Sequence, residues 1–477
     1  MNLTKLLYGA DAVYNGNDPD IRFITHKPDD VADGALFVCI KGAHADGHDF
    51  AHTAISKGAV AVVCERDLGI AEQVMVPNSR AALSLLNCAF YGHPSKSMLL
   101  IGVTGTNGKT TTACYIRNML EQAGRKSVLI GTLGADSGNG TAQTDYTTPE
   151  SAVFNHTLQK GLQRGCEYAV AEISSQALSQ ERCAGMDFDV AVFTNLSPEH
   201  LDYHQTMDEY ARQKAKLFAC AKAAAVNKDD EFAPFILSHC KGRTVTFSLQ
   251  DDADLTAKNV KYTAHGVSYI LVSRDGIERI QIPALGIMAV YNSMAAVAAC
   301  MVAGFDFEEA CAYVCHVDAV EGRLQKIPTQ TPFSVFVDYA HTPAALYEAL
   351  YAVRQVTAGN VIAVFGCGGN RDSSKRPRMG EIASSLADIT VLTSDNPRAE
   401  DPQKIIADIA AGFKSKNELI LCADRRRAIE TALQKAQPGD SVLIAGKGHE
   451  KAQTTADGTF LFDDAAVVRE YFTVKHA

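Results

Sequence analysis

The 477-residue chain has no apolar run approaching the ~18 residues that cross a bilayer. Its opening segment, Met1-Asn2-Leu3-Thr4-Lys5-Leu6-Leu7, lacks the apolar core of a secretion signal. A membrane role is not expected. The 13 cysteines are scattered singly, without a CxxC pair or a regular framework, which points to reduced thiols in the cytoplasm. Positive charge is in deficit: 45 Lys and Arg against 55 Asp and Glu leave a formal charge of −10. That balance argues against nucleic acid or an anionic membrane as a general partner, while leaving room for a basic pocket. There is no internal repeat and no low-complexity segment. What remains is an ordinary globular composition, 47% hydrophobic and 21% charged, in a chain long enough for about three domains.

The most informative stretch is Gly102-Val103-Thr104-Gly105-Thr106-Asn107-Gly108-Lys109-Thr110-Thr111, directly behind the apolar run Met98-Leu99-Leu100-Ile101. A strand, a glycine-rich turn and a helix beginning near Lys109 place backbone N–H groups around one point, which suits phosphate. Lys109 is positioned to reach β- and γ-phosphates and Thr110 to offer a hydroxyl to Mg²⁺, while Gly105 and Gly108 permit close backbone approach. The usual pattern has its leading glycine where this chain has Val103; Gly102 stands one step too early.

Three regions follow. Residues 1–92 read as a small α/β domain with strands near Ala35–Ile40 and Ala59–Val63. Residues 93–325 alternate near-continuous apolar strands (Ser127–Ile130, Tyr168–Ile173, Val190–Phe193) with helical patterns, the signature of a parallel sheet covered on both faces. Residues 326–477 repeat the pattern at Phe333–Asp338, Val361–Gly366, Ile389–Thr393 and Ser441–Gly446, each strand ending in polar or glycine residues where ligands bind in doubly wound folds.

Further chemistry clusters at strand ends. Glu172 closes an apolar strand, where a carboxylate beside a phosphate site binds Mg²⁺ directly or through water; a helix N-terminal charge is the bland reading. The segment Thr194 to His204 concentrates ligand-type side chains, although His200 and His204 taken alone read as structural. Arg371, Lys375 and Arg376 near Gly366-Cys367-Gly368-Gly369 suit an anion, with a solvated basic loop as the alternative. Asp395-Asn396-Pro397-Arg398 and Gly446-Lys447-Gly448-His449-Glu450 together suit a zwitterion, Arg398 for its carboxylate and Glu450 for its ammonium.

The set Thr104–Thr111, Thr194–Asp202, Glu321-Gly322-Arg323, Asp338-Tyr339-Ala340-His341-Thr342-Pro343 and Asp395–Arg398, in that order, resembles the Mur ligase family over nearly the whole chain. The resemblance is strongest to members that add meso-2,6-diaminopimelate to UDP-N-acetylmuramoyl-L-alanyl-D-glutamate, a cytoplasmic step of peptidoglycan synthesis. It implies a three-domain α/β fold: an N-terminal UDP-substrate domain, a central P-loop ATPase domain, and a C-terminal Rossmann-like domain that brings the amino acid. It implies ATP and Mg²⁺, no nucleic-acid or membrane partner, a monomer, and an acyl-phosphate intermediate attacked by the incoming amine.

The resemblance assigns Gly105, Thr106, Asn107, Gly108, Lys109, Thr110 and Thr111 to ATP, with Asn292, Arg323, Asp338 and Lys375. Thr110, Glu172 and His200 go to metal. Lys214 becomes a carbamate that supports a second Mg²⁺. Thr147, Thr148, Ser174, Gln180 and Arg182 line the muramoyl-dipeptide; Arg371, Asp395, Asn396, Arg398, Gly446 and Glu450 line diaminopimelate. The chain departs from the family at Lys27-Pro28-Asp29, where Asp-Ser-Arg is usual next to uridine, at Gln176, at Ile287-Met288-Ala289 and at Lys451-Ala452-Gln453. Two other readings stay open: a divergent relative joining an amino acid to a different carboxylate, and a non-catalytic nucleotide-binding protein.

Overall fold

The computed structural model describes residues 1–42, 45–250, 252–263 and 265–475. They form two compact units, Met1–Ser248 with Ala295–Asp306, and Leu249–Met294 with Phe307–Ala477.

The first unit contains a small parallel sheet whose strands lie side by side in chain order: β1 (Phe23–Thr25), β2 (Ala35–Val38), β3 (Ala59–Cys64) and β4 (Gln73–Met75). β2 is buried along its whole length, so it needs no polar alternation. The helix Ser79–Phe90 begins where the Asn78 side chain accepts the N–H groups of Arg80 and Ala81. It sets Leu83 and Leu86 into one core with Leu36, Val38 and Val63.

The larger sheet of this unit comprises β5 (Leu99–Thr104), β6 (Ser127–Gly131), β7 (Gly134–Asp136), β8 (Thr141–Ala142), β9 (Tyr168–Glu172), β10 (Val190–Phe193), β11 (Ala223–Asn227) and β12 (Thr244–Ser248). Their spatial order is β12-β11-β10-β5-β9-β6-β7-β8. β7 and β8 are antiparallel additions at one edge. β5 lies between β9 and β10, with Ile101 opposite Val170 on one side and Val190 on the other. The chain leaves β5 toward β6 and returns on the opposite flank at β10. The carboxyl end of β5 is therefore a switch point, where an open sheet makes a crevice.

The second unit holds an antiparallel meander, β13 (Leu255–Thr263), β14 (Gly266–Ser273) and β15 (Gly276–Ile282), which the sequence reading did not resolve. It also holds a six-stranded sheet of β16 (Gln325–Ile327), β17 (Ser334–Asp338), β18 (Val361–Phe365), β19 (Ile389–Leu392), β20 (Glu418–Leu421) and β21 (Ser441–Ala445), in the order β16-β17-β21-β18-β19-β20. Every pairing is parallel except β16 with β17. Separate apolar clusters cover its two faces, as a doubly wound sheet requires. A hairpin, β22 (Ala452–Thr455) and β23 (Gly458–Leu461), follows β21. Among the described residues no helix is long and apolar enough to cross a membrane.

Candidate active site

The turn Gly105–Gly108 joins β5 to the helix Lys109–Gln122, and Gly108 adopts the left-handed conformation (φ +85°) at the helix start. Gly105 is the position where no side chain fits: a Cβ there would lie 1.9 Å from Thr194 Oγ1. The residues beyond β10 hold the turn. Asn195 accepts the N–H of Thr106 on its carbonyl (2.8 Å) and that of Asn107 on Oδ1 (2.9 Å). Thr194 Oγ1 donates to the Asn107 carbonyl at 2.7 Å. Gly102, the displaced glycine of the motif, lies within β5, where a Cβ would meet the Phe188 ring at 2.9 Å. It serves packing in the core and is not part of the loop.

Two cations converge on this turn. Lys109 Nζ donates to the carbonyls of Gly105 (2.9 Å) and Thr106 (2.8 Å), and Lys214 Nζ donates to the same Gly105 oxygen at 2.8 Å. Lys214, on the helix Met207–Cys220, is 1% exposed and sits 4.6 Å over the Tyr210 ring. Burial, reinforced by the Lys109 charge, pushes its ammonium well below the usual lysine range, with Glu199 opposing. His200, in the left-handed conformation, precedes the short helix Leu201–His204. Burial and the charges of Lys109 and Lys214 push its pKa down, which favours the neutral, ligand-type imidazole, although Glu199 acts against them. His204 has a structural part: it stacks on Tyr210 and bonds Ser175 Oγ at 2.8 Å.

Glu172, at the end of β9, is 2% exposed. Its Oε2 accepts from Thr110 Oγ1 (2.8 Å) and Thr132 Oγ1 (3.1 Å), and its Oε1 from the Thr132 N–H (2.8 Å). Hydroxyl and carboxylate oxygens side by side at a phosphate-type turn are hard donors that suit Mg²⁺. Among the described residues no group of three or more His, Cys, Asp or Glu gathers to hold a metal alone, and Mg²⁺ ordinarily takes one or two carboxylates and completes its shell with phosphates and water.

The residues expected around the muramoyl-dipeptide lie together in the same unit. Thr148 Oγ1 donates to the Glu172 carbonyl (2.7 Å) and accepts the Ser174 N–H (2.9 Å), while Thr147 and Thr132 hydroxyls pair at 3.1 Å. Arg182 donates to the Thr148 carbonyl (2.8 Å) and to Gln180 Oε1 (2.7 Å), pairs with Glu150, and stacks its guanidinium 4.4 Å over the Tyr146 ring. A cavity of about 270 Å³ opens beside them, lined in part by His26, Lys27, Asn87, Tyr146 and Glu150. Lys27, from the divergent Lys27-Pro28-Asp29, is thus in the wall of a ligand-sized space.

The remaining site residues belong to the second unit. Asn292 lies buried on the helix Ile287–Val302. Asp338 ends β17, accepting the N–H groups of Leu324 (2.6 Å) and Ala340 (2.8 Å) on its two oxygens. Arg323 stacks 4.7 Å over Tyr339, and Lys375 Nζ donates to the His341 carbonyl at 2.8 Å. Beyond β19, buried Asp395 precedes Asn396, whose Nδ2 donates to Glu450 Oε2 at 2.8 Å. Arg398, at φ +53°, donates from Nη1 to the Gly369 carbonyl at 2.6 Å. Gly446 follows β21 directly. Arg371 is exposed near the start of the helix Lys375–Leu386.

One sequence expectation is corrected here. Arg376, grouped with the anion-binding cations, is 1% exposed and points inward to Glu400 and Asp408. A buried guanidinium with two carboxylates is a structural tie. Asn195, quoted in the sequence only as part of the segment Thr194–His204, shapes the turn with its carbonyl and side chain, and sequence reasoning missed Arg425, which pairs with buried Asp464 through two 2.7 Å bonds. The particular role of each depends on a partner 88 and 39 residues away, which local sequence does not show.

Residues 20–87, 103–300 and 322–448 match, respectively, the models of the Mur ligase family catalytic domain, the Mur ligase middle domain and the Mur ligase glutamate ligase domain. A UDP-N-acetylmuramoyl-L-alanyl-D-glutamate–2,6-diaminopimelate ligase of Geobacillus kaustophilus is 42% identical over 468 residues, covering 96% of each chain. The chain belongs to the Mur ligase family. A Bacillus velezensis ligase of the same name is 42% identical to this Mur ligase, with 98% of each chain covered. A solved structure of a 2,6-diaminopimelate ligase superposes with a TM-score of 0.71 at 34% identity, covering 96% of each chain. The MurF ligase of Thermotoga maritima, solved with ADP, shares the fold at 20% identity, with a TM-score of 0.64 over 96% of this chain and 99% of that one. This Mur ligase thus has the family's α/β architecture of N-terminal, middle ATP-binding and C-terminal domains.

Proposed function

We propose that this Mur ligase joins meso-2,6-diaminopimelate to the D-glutamyl carboxylate of UDP-N-acetylmuramoyl-L-alanyl-D-glutamate at the expense of ATP. Residues 1–92 take the UDP end, 93–325 the ATP and 326–477 the amino acid. The observation that carries the reading is the meeting of Lys109 and Lys214 on the Gly105 carbonyl of one glycine turn, with the Thr110–Glu172 pair at the start of the helix that follows it and His200 within the electrostatic reach of both lysines. A binding module has no use for so many groups suited to moving phosphoryl charge.

Lys109 and the start of the helix that follows the turn would hold and neutralise the phosphates, and Thr110 and Glu172 would hold Mg²⁺, which would supply charge neutralisation when bound. The γ-phosphoryl group moves from ATP to the glutamyl carboxylate, giving ADP and an acyl phosphate. The amine then attacks the acyl carbon, loses a proton, and expels phosphate to leave the amide. Lys214, with its depressed pKa, is a nucleophilic amine suited to combine with CO₂. The resulting carbamate replaces a cation that repels Mg²⁺ with oxygens that attract it. Arg398 reads the distal carboxylate of diaminopimelate and Glu450 its distal ammonium.

ADP release and product mass, measured with the UDP-muramoyl-dipeptide and each of diaminopimelate, lysine and other amino acids, test the reading. Amino-acid-dependent turnover that is strongest with meso-diaminopimelate is expected. Turnover only with an acceptor lacking UDP would favour the divergent reading raised by Lys27, and absence of any amino-acid-dependent turnover would favour a binding protein.

A further inference from the structure

Lys447 is 0% exposed, yet it sits one residue beyond Gly446 at the end of β21, among the groups proposed to read the amino acid. Its Nζ donates to Glu450 Oε2 (3.1 Å), to Asn396 Oδ1 (3.2 Å) and to the Ala452 carbonyl (2.5 Å). All three donor positions of the ammonium are used, so its orientation is fixed. The Asn396 amide is fixed with it. Oδ1 accepts both Lys447 and the Thr454 N–H (3.0 Å), which forces Nδ2 toward Glu450. Glu450 Oε2 therefore receives two donors, whereas Oε1 accepts no hydrogen bond among the described residues.

We infer that Lys447 is a positioning residue that presents Glu450 Oε1 to the distal ammonium of the amino-acid substrate and thereby sets preference for a substrate carrying that ammonium. The inference rests on the amino-acid site proposed above. Without the Lys447 ammonium, Asn396 Oδ1 keeps only the Thr454 N–H of its two donors, and Glu450 loses the charge-assisted bond that holds its Oε2, so among the described residues the carboxylate is held by the Asn396 amide alone.

The test is steady-state ligation by Lys447→Met with two amines, meso-diaminopimelate and 2-aminopimelate, the latter keeping the distal carboxylate but lacking the distal ammonium. The KM for diaminopimelate should rise about tenfold or more, with kcat and the KM for ATP changing far less. The KM for 2-aminopimelate should move less than threefold, so that the wild-type preference collapses. Lys447→Gln, which keeps an N–H donor on a side chain one atom shorter, should fall between, and it supplies the same comparison if the Met variant does not fold. An unchanged diaminopimelate KM, or equal rises for both amines, would overturn the inference. Wild-type enzyme that treats the two amines alike would instead remove the role of Glu450 in the underlying site.

Discussion

Replacing Glu172 by Gln separates what this carboxylate does for the fold from what it does for chemistry. Its two oxygens accept three hydrogen bonds, from Thr110 Oγ1, Thr132 Oγ1 and the Thr132 N–H. A glutamine offers one acceptor oxygen and one NH₂. If the oxygen keeps the Thr132 N–H, which cannot rotate away, the NH₂ faces two hydroxyls, and both can turn to accept. The loss in stability is then about 1 kcal/mol, one rearranged buried hydrogen bond. For a unit of this size that is a fall in Tm of about 2–4 °C. The loss in activity should be far larger, because the negative charge proposed to hold Mg²⁺ is gone while the shape remains. Two to three orders of magnitude in kcat is the expected scale for removing one preorganised electrostatic contact. Calorimetry and ADP release on one preparation give both numbers. A variant that keeps more than a tenth of wild-type kcat at saturating Mg²⁺ would refute the metal assignment. A fall in Tm above about 8 °C would show that Glu172 is chiefly structural.

Lys214→Ala should lose most activity and regain part of it with added short carboxylates, and wild-type turnover should depend on bicarbonate; ADP release with and without added carboxylate or bicarbonate checks both. Arg398→Ala should lower discrimination against lysine by about ten- to a hundredfold in kcat/KM, the scale of an unpaired charged donor, while ATP binding measured by calorimetry stays the same. Burial pushes the His449 imidazole down to about 4. Between the ordinary histidine value near 6.5 and that pH the unfolded chain binds the extra proton, so stability should fall on acidification by up to about 3 kcal/mol. Urea unfolding of wild type and His449→Gln at pH 7 and pH 4.5 measures that difference, and the loss attributable to His449 should be absent from the variant.

What the sequence made legible was short-range. The glycine-rich turn motif lies in eight consecutive residues, Thr104–Thr111, and the buried strands are apolar because both faces of a parallel sheet are covered. The strand expected at Tyr168–Ile173 is Tyr168–Glu172, and the one at Ser441–Gly446 is Ser441–Ala445. Strand ends could therefore be read as places where polar residues gather. The direction of a long side chain could not be read. Arg371, Lys375 and Arg376 stand in one basic run, yet Arg376 turns inward because Glu400 and Asp408, distant in sequence, lie beneath it. Arg425, which no sequence motif marks, is likewise buried against Asp464, 39 residues away. The meander β13–β15 escaped because polar and charged residues interrupt its strands, as in Lys258-Asn259-Val260-Lys261 of β13 and Glu278-Arg279 of β15, so no long apolar run marks them.

The glycine turn has a thermodynamic consequence. Thr106 and Asn107 are held in place by Asn195, and Asn107 also by Thr194, through bonds that belong entirely to the protein. The entropy of ordering this loop is thus lost when the chain folds and not again when a nucleotide arrives. A preorganised cradle leaves more of the contact energy with the phosphates to appear as affinity. It also makes the neighbouring strand, β10, a determinant of how tightly a ligand at the end of β5 is held. Loosening Asn195 would then weaken nucleotide binding through entropy, without removing any contact to the ligand that is not still geometrically available.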